Sequence, residues 1–146
     1  MALDDVYTEV LGEHSRNPDH KHHLSCASCA LKGHNPSCGD EITIELQIEN
    51  GTVKEAAFTG IGCAISQAST DIMAELIRGK SVEEARELAH KFISMIKGEI
   101  TDEDELEELD EALALRNVAH MPARVKCAVL AWHTLDDALK KERSEE

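Results

Sequence analysis

The clearest pattern along the chain is a strict alternation of apolar and polar residues over positions 41–49. A period of two predicts a half-buried β-strand. Asn50-Gly51 follows directly, and this pair favours a type I′ turn because both central residues of that turn take positive φ. Residues 53–59 then supply the returning strand. The pattern predicts a β-hairpin, whose inner face carries Ile42, Ile44, Leu46 and Ile48.

Four other segments have apolar residues at helical spacing. Ser81 and Glu84 form a capping box at the start of one helix, Gly98 ends that helix, and Pro122 stands at the start of the last. The two middle helices are expected to form an antiparallel pair. Residues 19–37 are polar and irregular, which predicts a loop with at most one short edge strand. The predicted helices span residues 4–14, 64–78, 82–97 and 122–140.

Residues 99–111 include nine acidic residues and no basic one, yet Leu106, Leu109 and Leu113 keep helical spacing. We interpret this segment as a helix with a solvated acidic face. Only 3% of the whole chain is aromatic, so the core must be aliphatic, which favours helices over a sheet rather than a β-sandwich. The expected fold is α+β, a small antiparallel sheet with the Asn-Gly hairpin covered by about five helices, in one domain over residues 1–146.

Acidic residues outnumber basic ones by 29 to 15, which gives a formal charge of −14. Phosphate backbones and anionic membrane surfaces would repel such a chain, so neither nucleic acid nor a membrane is an expected partner. The sequence has no apolar stretch long enough for a membrane span, and its first residues do not have the pattern of a signal peptide. We expect a cytoplasmic protein.

Three of the five cysteines stand where the predicted chain changes direction: Cys38 before the hairpin, Cys63 between strand and helix, and Cys127 early in the last helix. An odd number of cysteines in a reducing compartment argues against a disulfide framework. Cys38 and Asp40, separated by Gly39 at a strand entry, can share one metal ion. Three thiolates and a carboxylate suit zinc or an iron–sulfur centre. The spacing alone leaves open that Cys63 and Cys127 are small buried apolar residues.

Cys26 and Cys29 form a CxxC pair shortly after a group of histidines. One interpretation is a second metal site or a redox pair, and another is a loop without a ligand role. A rival closure would join the pair to Cys38 and Cys63 in a structural Cys₄ zinc module and leave Cys127 unused.

Motifs surround the three dispersed cysteines: residues 35–40 (NPSCGD), 60–69 (GIGCAISQAS), and 122–127 (PARVKC) with 130–132 (LAW). They resemble the signatures of the NifU/IscU-type iron–sulfur cluster assembly family. Two features are most similar to the SufU branch. One is the long acidic segment between the second and third cysteines, and the other is Lys126, where the scaffold branch has histidine.

The resemblance implies a zinc site formed by Cys38, Asp40, Cys63 and Cys127, in a protein of the SUF system that docks on a SufS-like cysteine desulfurase. Cys38 would leave the zinc and accept the persulfide sulfur, which gives it the catalytic part in a sulfurtransferase-like role. Downstream cluster assembly proteins would then receive the sulfur.

The same resemblance allows two alternatives. The thiolates could assemble a transient [2Fe–2S] cluster, with iron in place of zinc, or zinc could stabilise an interaction module that transfers no sulfur. Arg124 and Lys126 precede Cys127 closely and are auxiliary candidates for partner contact or for stabilising the thiolate. Zinc uptake, a Cys38 persulfide and stimulation of a desulfurase would favour the sulfur acceptor over both alternatives.

Overall fold

The structure is a computed structural model and describes residues 20–24, 29–35, 39–99, 103–120 and 122–144. Outside these ranges lie the predicted helix over residues 4–14 and two of the cysteines, Cys26 and Cys38. The elements, in chain order, are β1 (Cys29–Asn35), β2 (Asp40–Glu49), β3 (Thr52–Ile61), α1 (Ala64–Ile77), α2 (Val82–Ile96), the single turn α3 (Glu103–Leu106), a 3₁₀ helix (Glu107–His120) and α4 (Pro122–Ser144).

The three strands form an antiparallel sheet in the order β1-β2-β3. Asn50 and Gly51 connect β2 to β3 with φ values of 53° and 75°, which confirms the predicted hairpin because a type I′ turn requires both to be positive. Glu41 pairs with Ile61, so the beginning of β2 and the end of β3 meet at one end of the sheet. The candidate site lies at this end.

The strand β1 is an edge strand within the segment predicted as a loop with one short edge strand, but it is seven residues long and pairs with β2 along its whole length. Gly33, which the sequence suggests as a breaker, lies inside it. A Cβ at this position would be 2.0 Å from the Thr134 hydroxyl oxygen, so glycine is needed where α4 crosses the strand. Contact with α4, which is far along the chain, therefore explains Gly33, a residue that the local pattern alone assigns to a loop.

The helices cover one face of the sheet, which buries the predicted inner residues of β2. The helices α1 and α2 each pack mainly against α4 and contact each other little, so the predicted α1–α2 pair is not the main packing unit. On α4, Trp132 stacks on Phe92 of α2 with ring centroids 4.1 Å apart. The predicted α+β class is confirmed. Among the helices of the described ranges, none combines the length and the apolar character that crossing a membrane requires.

The acidic segment folds differently from its prediction. Beyond the single turn of α3 it is a 3₁₀ helix of 14 residues, in which side chains three positions apart lie on the same side. Leu113, predicted for the inner stripe of an α-helix, is only half-buried. The exposed Glu107 and Glu108 agree with the predicted solvated face. The buried residues repeat at every third position: Leu106, Leu109, Ala112, Leu115 and Val118.

Candidate metal centre

Three predicted ligands meet at the end of the sheet where β2 begins. Asp40, Cys63 and Cys127 each offer one ligand atom, and these atoms all lie within 4.8 Å of one another. The residues come from the first position of β2, the position before α1 and the second turn of α4. Asp40 and Cys127 are buried, whereas Cys63 is half-buried. Cys38, the fourth predicted ligand, lies outside the described residues, two positions before Asp40 in the chain.

Two glycines, Gly39 and Gly62, allow the position of the Asp40 carboxylate. Gly39, with φ of 74°, leads into β2 in the left-handed region that glycine favours. The Asp40 Oδ1 atom then accepts a hydrogen bond from the backbone N–H of Cys63 at 3.0 Å. A Cβ on Gly62 would lie 3.0 Å from this same oxygen, so a larger residue at position 62 would crowd the carboxylate.

Cys63 is the N-cap residue of α1. Its extended backbone lets the sulfur turn back toward the helix, and the Ser66 backbone N–H donates to Cys63 Sγ at 3.4 Å. The free N–H groups and the dipole at a helix N-terminus favour negative charge on an atom placed there. The cap therefore suits a thiolate.

Cys127 is held by the contact between α1 and α4. It is 1% exposed, and the carbonyl of the next residue, Ala128, accepts a hydrogen bond from the Ser69 hydroxyl at 2.6 Å. The Trp132 indole N–H in turn donates to the Ser69 oxygen at 2.9 Å. Sequence reasoning missed the role of Ser69. The available signal was a run of small polar residues on the inner side of an otherwise apolar helix.

The donors fit a tetrahedral ion. Zinc binds sulfur at about 2.3 Å and carboxylate oxygen at about 2.0–2.2 Å, which places neighbouring ligand atoms roughly 3.5 Å apart. Separations of up to 4.8 Å are within reach of small side-chain rotations. One oxygen and two sulfurs supply three of four ligands, and this mixture of a hard oxygen and soft sulfurs suits zinc or an iron–sulfur centre.

The auxiliary candidates are exposed, and the CxxC cysteine Cys29 lies away from the site. Arg124 and Lys126 are exposed on the first turns of α4. Cys29 pairs with Leu46, six residues along β1 from the end of the strand at which β2 begins, a distance of about 20 Å. The rival closure, which needs Cys29 and Cys63 on one ion, does not fit this separation.

Of the predicted Cys26–Cys29 pair, only Cys29 is among the described residues, and the second site stays a prediction. Cys29 Sγ points toward the helices and lies 3.8 Å from the carbonyl oxygen of Ala138. On the opposite face, His23 Nδ1 lies 2.8 Å from the Glu45 carboxylate. Neighbouring strand residues point to opposite faces, and Glu45 and Leu46 are such neighbours. Cys29 and His23 therefore lie on opposite faces of the sheet.

The fold and this aspartate–cysteine cluster define a small domain of the iron–sulfur cluster assembly class. The chain belongs to the NifU-like N terminal domain family, whose sequence model matches residues 6–145. The resemblance drawn from the motifs is thereby confirmed.

Relatives of two kinds resemble the chain. It is 41% identical to the iron-sulfur cluster assembly scaffold protein IscU of Thermotoga maritima, over 97% of both chains. It is 36% identical to the zinc-dependent sulfurtransferase SufU of Bacillus subtilis, over 96% of this chain and 93% of that one. The crystal structure of a putative iron-sulfur cluster assembly scaffold protein for the SUF system from Fervidobacterium islandicum AW-1 superposes with a TM-score of 0.84 at 35% identity, covering 94% of this chain and 99% of that one.

Proposed function

We propose that this chain is a zinc-dependent sulfur acceptor that takes persulfide sulfur from a cysteine desulfurase and passes it toward iron–sulfur cluster assembly. The observation that carries the proposal is the meeting of Asp40, Cys63 and Cys127 within 4.8 Å. The likeness to the sulfurtransferase SufU of Bacillus subtilis supports it. Membership in an iron–sulfur cluster assembly family supplies the setting.

Cys38 is proposed as the fourth ligand and as the sulfur acceptor. Covalent geometry keeps its Cα within about 7.6 Å of the Cα of Asp40, since consecutive Cα atoms are about 3.8 Å apart. Bound zinc would keep the thiolate ligands deprotonated without leaving them free to react. Cys38, two residues before Asp40 in the chain, would therefore be protected until a partner docks.

The transfer itself is a thiol–disulfide type of exchange. The Cys38 thiolate attacks the outer sulfur of the desulfurase persulfide, the S–S bond breaks, and the desulfurase cysteine leaves as a thiolate. The new persulfide on Cys38 holds the transferred sulfur, so no external oxidant or reductant is needed. Asp40 is the exchangeable ligand in this proposal. Its hydrogen bond from the Cys63 N–H gives the carboxylate a partner that does not depend on the ion.

A second candidate function is a scaffold for a transient [2Fe–2S] cluster on the same cysteines. The relative in Thermotoga maritima, 41% identical and named a scaffold protein, favours it. Lys126, exposed beside Cys127, supplies no metal ligand at the position where the scaffold branch has histidine. This difference favours the zinc-dependent sulfur acceptor over the scaffold. The interaction module without sulfur transfer remains a third alternative.

A desulfurase assay tests the proposal. Alanine and sulfide production by a SufS-like enzyme is measured with the zinc-loaded native chain, with Cys38→Ala and with Cys29→Ala as the matched control. Stimulation is expected from the native chain and from Cys29→Ala, and its loss is expected from Cys38→Ala. Equal stimulation by Cys38→Ala would overturn the acceptor role. Transfer of a reconstituted cluster to an apo-acceptor, without desulfurase stimulation, would favour the scaffold.

A further inference from the structure

The Ser66 hydroxyl is the feature of the site that the proposed function does not yet use. Ser66 is the third residue of α1 and is 0% exposed. Among the residues that the structure describes, its Oγ has no hydrogen-bond partner. A buried hydroxyl without a partner is unfavourable, so it indicates a group that is present only in another state of the site.

Ser66 makes no hydrogen bond to the usual partner of a helical serine. Serine and threonine in helices commonly donate to the carbonyl four residues earlier, as Thr70 does to the Ser66 carbonyl at 2.7 Å. The corresponding carbonyl for Ser66 is that of Gly62, which instead accepts from the Gln67 side-chain amide at 3.1 Å. The Ser66 hydroxyl is therefore left available for a different acceptor.

The nearest candidate acceptor is the Asp40 carboxylate. Ser66 Oγ and Asp40 Oδ1 each lie 3.0 Å from the position that a Cβ on Gly62 would take. The two side chains thus border the same small space, which the absence of a side chain at Gly62 keeps open. The two oxygens are therefore no more than about 6 Å apart, and rotation about the Cα–Cβ bond of Ser66 moves its hydroxyl within this space.

We infer that the Ser66 hydroxyl donates a hydrogen bond to the Asp40 carboxylate when that carboxylate moves off a bound metal ion. The inference rests on the proposed function, in which Asp40 is the exchangeable ligand. A released carboxylate is buried and negatively charged, so it needs donors in place of the ion. The Cys63 N–H is one such donor, and Ser66 supplies another. Ser66 is thus a positioning residue that favours release of the oxygen ligand.

A double-mutant cycle with zinc release as the measurement tests this role. Native protein, Ser66→Ala, Asp40→Ala and the double variant are loaded with zinc, and the transfer of zinc to a chromogenic chelator is followed. Loss of a hydrogen bond to a charged group should slow release from Ser66→Ala about tenfold or more. The substitution should have no effect in the Asp40→Ala background. Thr70→Val, which removes a hydroxyl one turn further along α1, should release zinc at the native rate.

Unchanged release from Ser66→Ala would overturn the inference. So would an effect of Ser66→Ala that persists without Asp40, because the hydroxyl would then act on the thiolates. Visible absorption of cobalt-loaded protein checks that Ser66→Ala keeps the tetrahedral site. Failure of the native chain to bind zinc would defeat the proposed function and this inference together. Normal zinc binding with no coupling between Ser66 and Asp40 would defeat this inference alone.

Discussion

The Asp40 carboxylate accepts the backbone N–H of Cys63 at 3.0 Å, which joins the first residue of β2 to the residue that caps α1. The bond satisfies a helix N-terminal donor that would otherwise be without an intrahelical partner. It also fixes the oxygen donor relative to a sulfur donor before any ion arrives. Part of the cost of assembling the site is therefore met by the fold.

Substitution of Asp40 separates ligand loss from hydrogen-bond loss. Asp40→Asn keeps an oxygen that can accept from the Cys63 N–H, whereas Asp40→Ala removes both the ligand and the acceptor. Zinc affinity, measured by chelator competition, should fall more than about 100-fold in both variants, since even changes around a ligand cost 10- to 100-fold. Urea unfolding of the metal-free protein should show a loss of about 1–2 kcal/mol for Asp40→Ala only. Native zinc affinity in Asp40→Asn would contradict the ligand assignment.

Cys127 and Cys29 provide a matched pair for the choice between the two zinc closures. Both are cysteines outside any disulfide, but only Cys127 belongs to the cluster. We expect Cys127→Ala to lose bound zinc and Cys29→Ala to retain one zinc per chain, as measured by metal analysis after gel filtration. The opposite result would restore the rival Cys₄ closure.

A second polar cluster, between α2 and α4, makes stability depend on acid pH. Asp136 is buried and accepts from Arg86 Nε at 3.1 Å, and His90 Nε2 lies 3.0 Å from the same oxygen. Burial raises the pKa of Asp136, but the hydrogen bonds from Arg86 and His90 outweigh it and leave the pKa below its ordinary value of 3.8.

Because this folded-state pKa is depressed, the stabilisation is present above about pH 4 and is lost as pH falls through the folded value. Asp136→Asn should lower the free energy of unfolding by about 1–2 kcal/mol at pH 7. The difference from native protein should shrink below pH 4, as measured by urea unfolding at a series of pH values. The exposed neighbour Asp137 is the control, and Asp137→Asn should behave like native protein at every pH. A pH-independent difference for Asp136→Asn would contradict this account.

The three-residue repeat of the 3₁₀ helix can be tested with two leucines. Leu109 is fully buried on the repeat, and Leu113 lies off it and is half-buried. Leu109→Ala should lower the free energy of unfolding by about 2–4 kcal/mol, and Leu113→Ala by about 1 kcal/mol or less. Thermal and urea unfolding provide the measurement. Equal losses would show that this segment packs as an ordinary α-helix.

Features with a local physical cause could be predicted from the sequence. The Asn50-Gly51 turn follows from the need for positive φ, and the Ser81–Glu84 capping box forms with both of its hydrogen bonds. Neither depends on what the rest of the chain does. The boundaries of α1 and α2 also agree with their predictions to within a residue or two.

Features set by tertiary packing could not be predicted. The strand β1 includes Gly33 because Thr134 of α4 lies against this glycine. Nothing in the sequence around Gly33 predicts that contact. At the site, the motifs identified Asp40 and the cysteines. The space left open at Gly62 and the available hydroxyl of Ser66 are seen only in the folded structure. Side chains that contact a metal ligand, and not the metal itself, have no characteristic spacing in the sequence.

The three donors also lie far apart along the chain. Asp40 and Cys63 are 23 residues apart, and a further 64 separate positions 63 and 127. An ion bound to them would close both loops at once, an arrangement that the unfolded chain does not have, so metal loading should raise the melting temperature and a chelator should lower it. Exchange of the Asp40 ligand during sulfur transfer would then loosen one of these closures, and the surface of a docked partner would have to supply the lost support.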